Sequence, residues 1–434
     1  MFCQKFADDI AKSCYDHFDK LPKKGKPVLN KEWTLLAGIV MTSERKKLDI
    51  ISLTTGTKCL GFSQLKETGN LVSDSHAEVL ARRGLLTFLY YQMNLALKKN
   101  NSDVLMFDDT NKKFELRDGI KFHLFISHVP CGDAAIFPKN LIADPCLLVA
   151  ESSRSEVGER NPKRIKIDEC PLIADSLNSD SEDPKHNDIY RTGAKCVENE
   201  TQDPKLEGIG FHTSGSLRTK PGRGDPTWSM SCSDKIAMWN VVGMQGALLA
   251  DLMSEPVYMA SLVIGKCPFN NDAAQRAIID RLSSISSLPE GYFLNKPFII
   301  QSSLDFKFSK ENVTKNNPEA VPCPSSIIWC AVPDSLEVSV NGAKQGVTKK
   351  NVDKPSSRIS VCKSALFEEF LNIKKQLAEN STKTQSSVEL TYLDCKQSAG
   401  PYQKSKVAVW KIFTNWKRKP EYLQKFVIPK IKYE

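Results

Sequence analysis

The chain has 434 residues, a formal net charge of +9, 41% hydrophobic residues and 8% aromatics. This composition fits a globular protein of one large domain or two ordinary ones and excludes a fibrous or wholly disordered chain. No apolar run reaches the ~18 residues that a membrane span needs, because the best candidate, Leu80 to Leu97, is broken by Arg82 and Arg83. Met1 to Lys20 carries acids and lacks an apolar signal region. Thirteen cysteines at irregular spacing then point to free thiols in a reducing compartment, hence an intracellular protein of the nucleus, the cytosol or both.

An amphipathic stretch around Ile10 and Phe18 comes first. Trp33 to Met41 and Leu48 to Thr54 read as two strands joined by a polar turn, and Gly56 to Cys59 leads into a loop ending at Asp74. From His76 to about Lys98 the apolar residues follow a helical period on both sides, which predicts a buried helix. Arg82 and Arg83 project from it and require anionic partners, Asp or Glu being the ordinary ones.

Lys121 to Val129 is a strand that stops at Pro130-Cys131-Gly132-Asp133. Residues 151–207, with one aromatic residue and four prolines, read as a flexible insertion. Within it, Asn161 to Asp168 resembles a short basic nuclear-import signal. Leu217 to Pro226 is a basic, glycine-bearing loop, and Cys232 then opens an apolar helix through Leu249. Further core strands are expected over 257–264 and 326–332, with helices near Ala273 to Leu282 and Ser364 to Leu377.

His76, Cys131 and Cys232 offer one nitrogen and two thiolates, a soft set that suits zinc and leaves a fourth position for water. Glu78, two residues beyond His76, is placed to reach such a water as a proton shuttle. His-x-Glu followed by Pro-Cys is the general signature of zinc deaminases acting on nucleobases. One departure is clear: Ala134 stands where the second cysteine of that signature is expected, so the third ligand falls to Cys232.

This spacing resembles the adenosine deaminases acting on RNA and their eukaryotic tRNA relatives. The motifs are His76-Ala77-Glu78, Pro130-Cys131-Gly132-Asp133, Leu217-Arg218-Thr219-Lys220 and Ser231-Cys232-Ser233-Asp234-Lys235. The resemblance implies a cytidine-deaminase-like α/β fold: a central mixed sheet with helices on both faces, enlarged by a C-terminal extension, in a single domain over 1–434. It implies hydrolytic deamination of adenosine to inosine, with Arg218, Lys220 and Arg223 expected to contact RNA. Two features point to the tRNA branch and to position 37 of alanine tRNA. The chain starts directly in the catalytic domain, and Gly222-Arg223-Gly224 stands where duplex editors look to have Gly-Glu-Gly. An editor of other structured or double-stranded RNA is the alternative, and a non-catalytic zinc-containing RNA-binding protein is the alternative of another class. No membrane or obligate protein partner is implied.

From Pro401 to Glu434 there are nine Lys/Arg and two Glu, a surplus of seven positive charges. A helix over Tyr402 to Phe413 would place Lys406 on the stripe of Tyr402, Val409 and Phe413, with no acid anywhere between Lys396 and Pro420. The amine must snorkel to water or meet an anion. In the resembling family this region encloses inositol hexakisphosphate. The positions carried over are Arg82, Arg83, Lys235, Lys363, Tyr392, Lys396, Tyr402, Lys406, Trp416 and Lys419. Met238 and Arg418 depart from that pattern, standing where duplex editors look to have Arg and Glu.

Overall fold

The computed structural model describes residues 3–44, 47–98, 101–140, 188–222, 224–379 and 390–428. At its centre is an eight-stranded sheet. We number its strands β1 (Leu36–Thr42), β2 (Leu48–Thr55), β3 (Lys121–Ile126), β4 (Met259–Ile264), β5 (Phe298–Gln301), β6 (Ser325–Cys330), β7 (Glu337–Val340) and β8 (Ala343–Lys344). Their spatial order is β5-β4-β3-β1-β2-β6-β7-β8. β3, β4 and β5 run parallel and every other neighbouring pair is antiparallel, so the sheet is mixed as expected.

The apolar run of β1 has no polar face because both sides of the sheet are covered. Leu36 and Val40 face helix α1 (Gln4–Lys20), whose Ala7, Ile10, Ala11, Cys14 and Phe18 recur at helical spacing and are fully buried. Ala37, Ile39 and Met41 face the other way, toward α2 (Ala77–Leu97). α2 is buried around its circumference, as its sequence requires. The sheet covers one side, and α5 (Lys363–Glu379) packs on it as well. Further helices are α3 (Cys232–Val242), α4 (Asn271–Ile278), α6 (Tyr392–Gln397) and α7 (Gly400–Ile412). α7 lays Tyr402, Val409 and Phe413 against Met238, Val241 and Val242 of α3, so the expected stripe is the packed one.

Four local expectations change. The helix read from Cys232 through Leu249 ends at Val242, where Gly243 at φ +77° breaks it before a second helix over Gly246–Leu252. Trp33 is not continuous with β1: Glu32–Trp33 pairs in parallel with Val321–Pro322, and the sheet strand begins at Leu36. Gly56 to Asp74 is not all loop, since Thr57–Cys59 pairs antiparallel with Asp74–His76. The insertion read over 151–207 is folded from residue 188 onward, where Ile189, Ala194 and Val197 are buried. These scattered anchors disappear in a polar average. The basic run Asn161 to Asp168 lies outside the described residues.

α2 approaches the sheet closely at Gly84, where a Cβ would meet Ser52 Oγ at 2.1 Å and Cys330 Sγ at 2.9 Å. Gly84→Ala is expected to cost about 1–3 kcal/mol through overpacking, measured as a lowered urea midpoint with an unchanged slope.

Candidate active site

Each ligand candidate sits at an element end. His76 closes the short strand Asp74–His76 and caps α2, placing Glu78 in that helix's first turn. Cys131 follows β3 and Cys232 begins α3. Gly132, at φ +106°, makes the turn that brings them together; a Cβ there would lie 2.3 Å from Ser231 Oγ. Ser233 fastens the turn, its backbone N–H and its hydroxyl donating to the Cys131 carbonyl at 3.0 and 2.9 Å.

His76 Nδ1 lies 3.8 Å from Cys131 Sγ and 3.6 Å from Cys232 Sγ. Tetrahedral zinc, with bonds of about 2.3 Å to sulfur and 2.05 Å to nitrogen, gives an S···N edge of about 3.6 Å. The residues present therefore fit the metal. The thiols by themselves are in conflict: a hydrogen bond with Cys232 holds Cys131 well below the usual thiol range, while burial pushes Cys232 well above it. A divalent cation between the sulfurs removes that conflict. The Cys232 backbone N–H, at the α3 N-terminus, also points at Cys131 Sγ from 3.3 Å.

Glu78 is fully buried, and neither carboxylate oxygen has a hydrogen-bond partner. Burying a carboxylate without a partner is costly. A group retained at that cost beside a three-ligand metal site matches a proton carrier awaiting water and substrate. Thr57, paired with His76 across the short strands, likewise has a buried hydroxyl without a partner. The sequence reading missed it, although Gly56 marks the close approach of this strand: a Cβ there would lie 2.0 Å from the Ser75 carbonyl.

The adenosine-deaminase (editase) domain family matches residues 52–420. This chain belongs to that family. It is 36% identical to tRNA-specific adenosine deaminase 1 of Homo sapiens, over 95% of this chain and 98% of that protein. The same-named protein of Drosophila melanogaster is also 36% identical, with 96% of each covered. Double-stranded RNA-specific editase B2 of Rattus norvegicus is 30% identical over 98% of this chain but only 51% of its own length. The chain is an enzyme that deaminates adenosine.

Behind the ligands of this deaminase sits Asp74. Its carboxylate accepts from Lys220 Nζ at 2.8 and 3.0 Å, from Lys235 Nζ, and from the backbone N–H of His76 at 3.1 Å. Burial would raise the Asp74 carboxyl, but the two ammonium groups hold it well below the usual carboxylate range. Lys220 is 2% exposed and Arg218 is fully buried, its guanidinium paired with both oxygens of Asp203. The expectation that Arg218 and Lys220 contact RNA is thereby corrected, because both point inward to carboxylates. Arg223 lies outside the described residues.

Lys235 also opens onto a cavity of about 800 Å³ between α2, α3 and the C-terminal helices. Nine of the ten positions carried over for the anion line it, and Tyr392 lines a smaller adjoining cavity. Nine Lys/Arg face the main cavity against two carboxylates, Asp74 and Glu421, and both are already paired, Glu421 with Lys425. The cations find mostly neutral acceptors: Arg83 donates to the Val361 carbonyl, Lys363 to Leu423 O and Lys396 to Gln424 Oε1, while Arg82 Nε has none. Burial pulls Lys406 down to about 7 and Lys396 and Lys419 to about 8. Met238 and Arg418 both line this cavity, and Arg418 stacks on Trp410 at 4.0 Å.

Two outcomes follow from these charges. Asp74→Asn leaves Lys220 and Lys235 buried without their anion, and a loss of about 3–5 kcal/mol is expected in denaturant unfolding at pH 7. The second concerns pH. Unfolded lysine titrates near 10.5, so the anion-free native protein holds fewer protons than its unfolded chain once pH exceeds about 7. Its urea midpoint is expected to rise between about pH 7 and 9. A bound polyanion restores the lysines' charge, raising the midpoint at pH 7 and flattening that slope.

Proposed function

We propose that this enzyme hydrolytically deaminates adenosine to inosine in tRNA, at position 37 beside the anticodon of alanine tRNA in particular. His76, Cys131 and Cys232 are its zinc ligands, Glu78 is its proton carrier, and residues 1–434 form one deaminase domain. The observation that carries the reading is the buried, unpartnered Glu78 carboxylate beside the three converging ligands. The tRNA substrate is supported by relatives named as tRNA-specific deaminases that match along nearly their whole length.

Zinc bound there lowers the pKa of water toward ~7, which makes a nucleophile available at neutral pH. Glu78 accepts the proton that the attacking water loses at adenine C6. It returns that proton to ring N1, then carries the second proton from the hydroxyl added at C6 to the C6 amino group, which leaves as ammonia as the C6–N bond breaks. Thr57, opposite His76 on the neighbouring strand, offers its unpartnered hydroxyl to orient the bound nucleotide.

The cavity anion is read as inositol hexakisphosphate. A compact ligand carrying many phosphates answers nine convergent cations that have no free carboxylate among them. Among the described residues no helix is long and apolar enough to cross a membrane.

The test is inosine mapping in alanine tRNA and in a long RNA duplex, using purified protein and a Glu78→Ala variant. Inosine at position 37, reduced at least about 100-fold in the variant and absent from the duplex, is the expected result. Inosine in the duplex alone would favour the reading as an editor of other RNA. Inosine in neither, with zinc bound, would leave a non-catalytic RNA-binding protein.

A further inference from the structure

Phe62 is 51% exposed, and it stands where two segments that serve the active site meet again at the rim. The first segment runs from Thr57, opposite His76, through Cys59 and Gly61 into the short turn Phe62–Gln64. The second leaves at Lys220, which holds Asp74, loops outward and returns through Met230 to Cys232. Phe62 is five positions along from Thr57, so their Cα atoms lie within about 18 Å of each other even if the chain between them is extended.

The two segments are locked together. Phe62 N–H donates to Pro226 O at 2.9 Å. Asp225 accepts from the Ser63 backbone N–H at 3.0 Å and from its hydroxyl at 2.6 Å. At Gly61 any Cβ would lie 2.1 Å from the Asp225 carboxylate, so this contact needs glycine. The backbone under Phe62 is thus held on both sides, while its ring remains outside the packing.

Its surroundings match single-stranded nucleic acid better than a protein surface. Trp228, half-buried on the loop that clamps Phe62, has Lys417 Nζ 5.9 Å from its ring, and both of these residues also line the cationic cavity. Lys66, 45% exposed, follows the Phe62 turn, and its closest carboxylate is 3.9 Å away. Aromatic faces interleaved with lysines are the arrangement that stacks unpaired bases and follows a phosphate backbone.

We propose that Phe62 is a stacking platform for an unpaired base of the substrate loop, beside the adenosine that enters the zinc site. This rests on the reading of the substrate as a tRNA loop, whose bases are already partly free to leave their neighbours. A duplex offers no such base, so the platform also helps the enzyme choose between the two RNAs.

The experiment uses the full chain and tRNA carrying 2-aminopurine at either nucleotide flanking the mapped inosine. Wild type and Phe62→Trp are expected to change the probe's fluorescence on binding. Phe62→Ala is expected to lose that change at one flanking position, with kcat/KM falling about 5- to 100-fold and thermal stability unaltered. Unchanged fluorescence and turnover in Phe62→Ala would overturn the proposal, as would a turnover loss that Phe62→Trp fails to rescue. A wild-type protein that leaves tRNA unmodified is a different failure, since it removes the substrate reading itself before the Phe62 variants are compared.

Discussion

The structure depends on one buried carboxylate. Asp74 takes two ammonium groups, from Lys220 and Lys235, and also accepts the backbone N–H of His76, one of the three candidate metal ligands. Three segments distant in sequence are therefore tied at a point almost closed to water, where a lost charge cannot be replaced by solvent. Lys235 reaches from this point into the cationic cavity, so the metal site and the cavity share a wall and an ion pair. Disturbance of either is felt by the other through a residue that touches no substrate.

The cavity turns the usual logic of a core around. Cores are commonly apolar because burying a charge is expensive. Here the C-terminal helices contribute Lys396 and Lys406 to an interior that already holds Arg82 and Arg83, with aromatic rings between them. Mutual repulsion and desolvation oppose closing such a space, and the depressed lysine pKa values express that opposition. A multiply charged anion would convert the same groups from a destabilising set into a cohesive one, and would then belong to the core as much as any side chain does.

The parts of this architecture that sequence disclosed were those with local grammar. His76 and Cys232 stand at helix starts, Cys131 at a strand end, and α2 shows apolar residues all round. Each is visible within a short window. Thr57–Cys59 escaped notice because two of its three residues are polar and its partner strand lies some fifteen residues downstream. The direction of Arg218 and Lys220 was illegible for a related reason. A basic run resembles a surface until the carboxylates it meets, Asp203 and Asp74, are placed beside it by the fold. Lys406 was legible in part: its position on the α7 stripe left an amine that either snorkels to water or meets an anion, and the structure places it on the cavity wall.

The candidate ligands His76, Cys131 and Cys232 lie 55 and 101 residues apart along the chain, and the longer interval contains residues 141–187. Just outside that stretch the two arms are joined: Phe137–Pro138 pairs with Ile189–Tyr190, and Lys139 N–H donates to Asp188 O at 2.8 Å. Closing a loop becomes only slowly more costly as it lengthens, about 0.6 kcal/mol for each doubling. The span between Cys131 and Cys232 is therefore set by paired backbone at residues 137–139 and 188–190, and not by the number of residues that separate the two thiols along the chain.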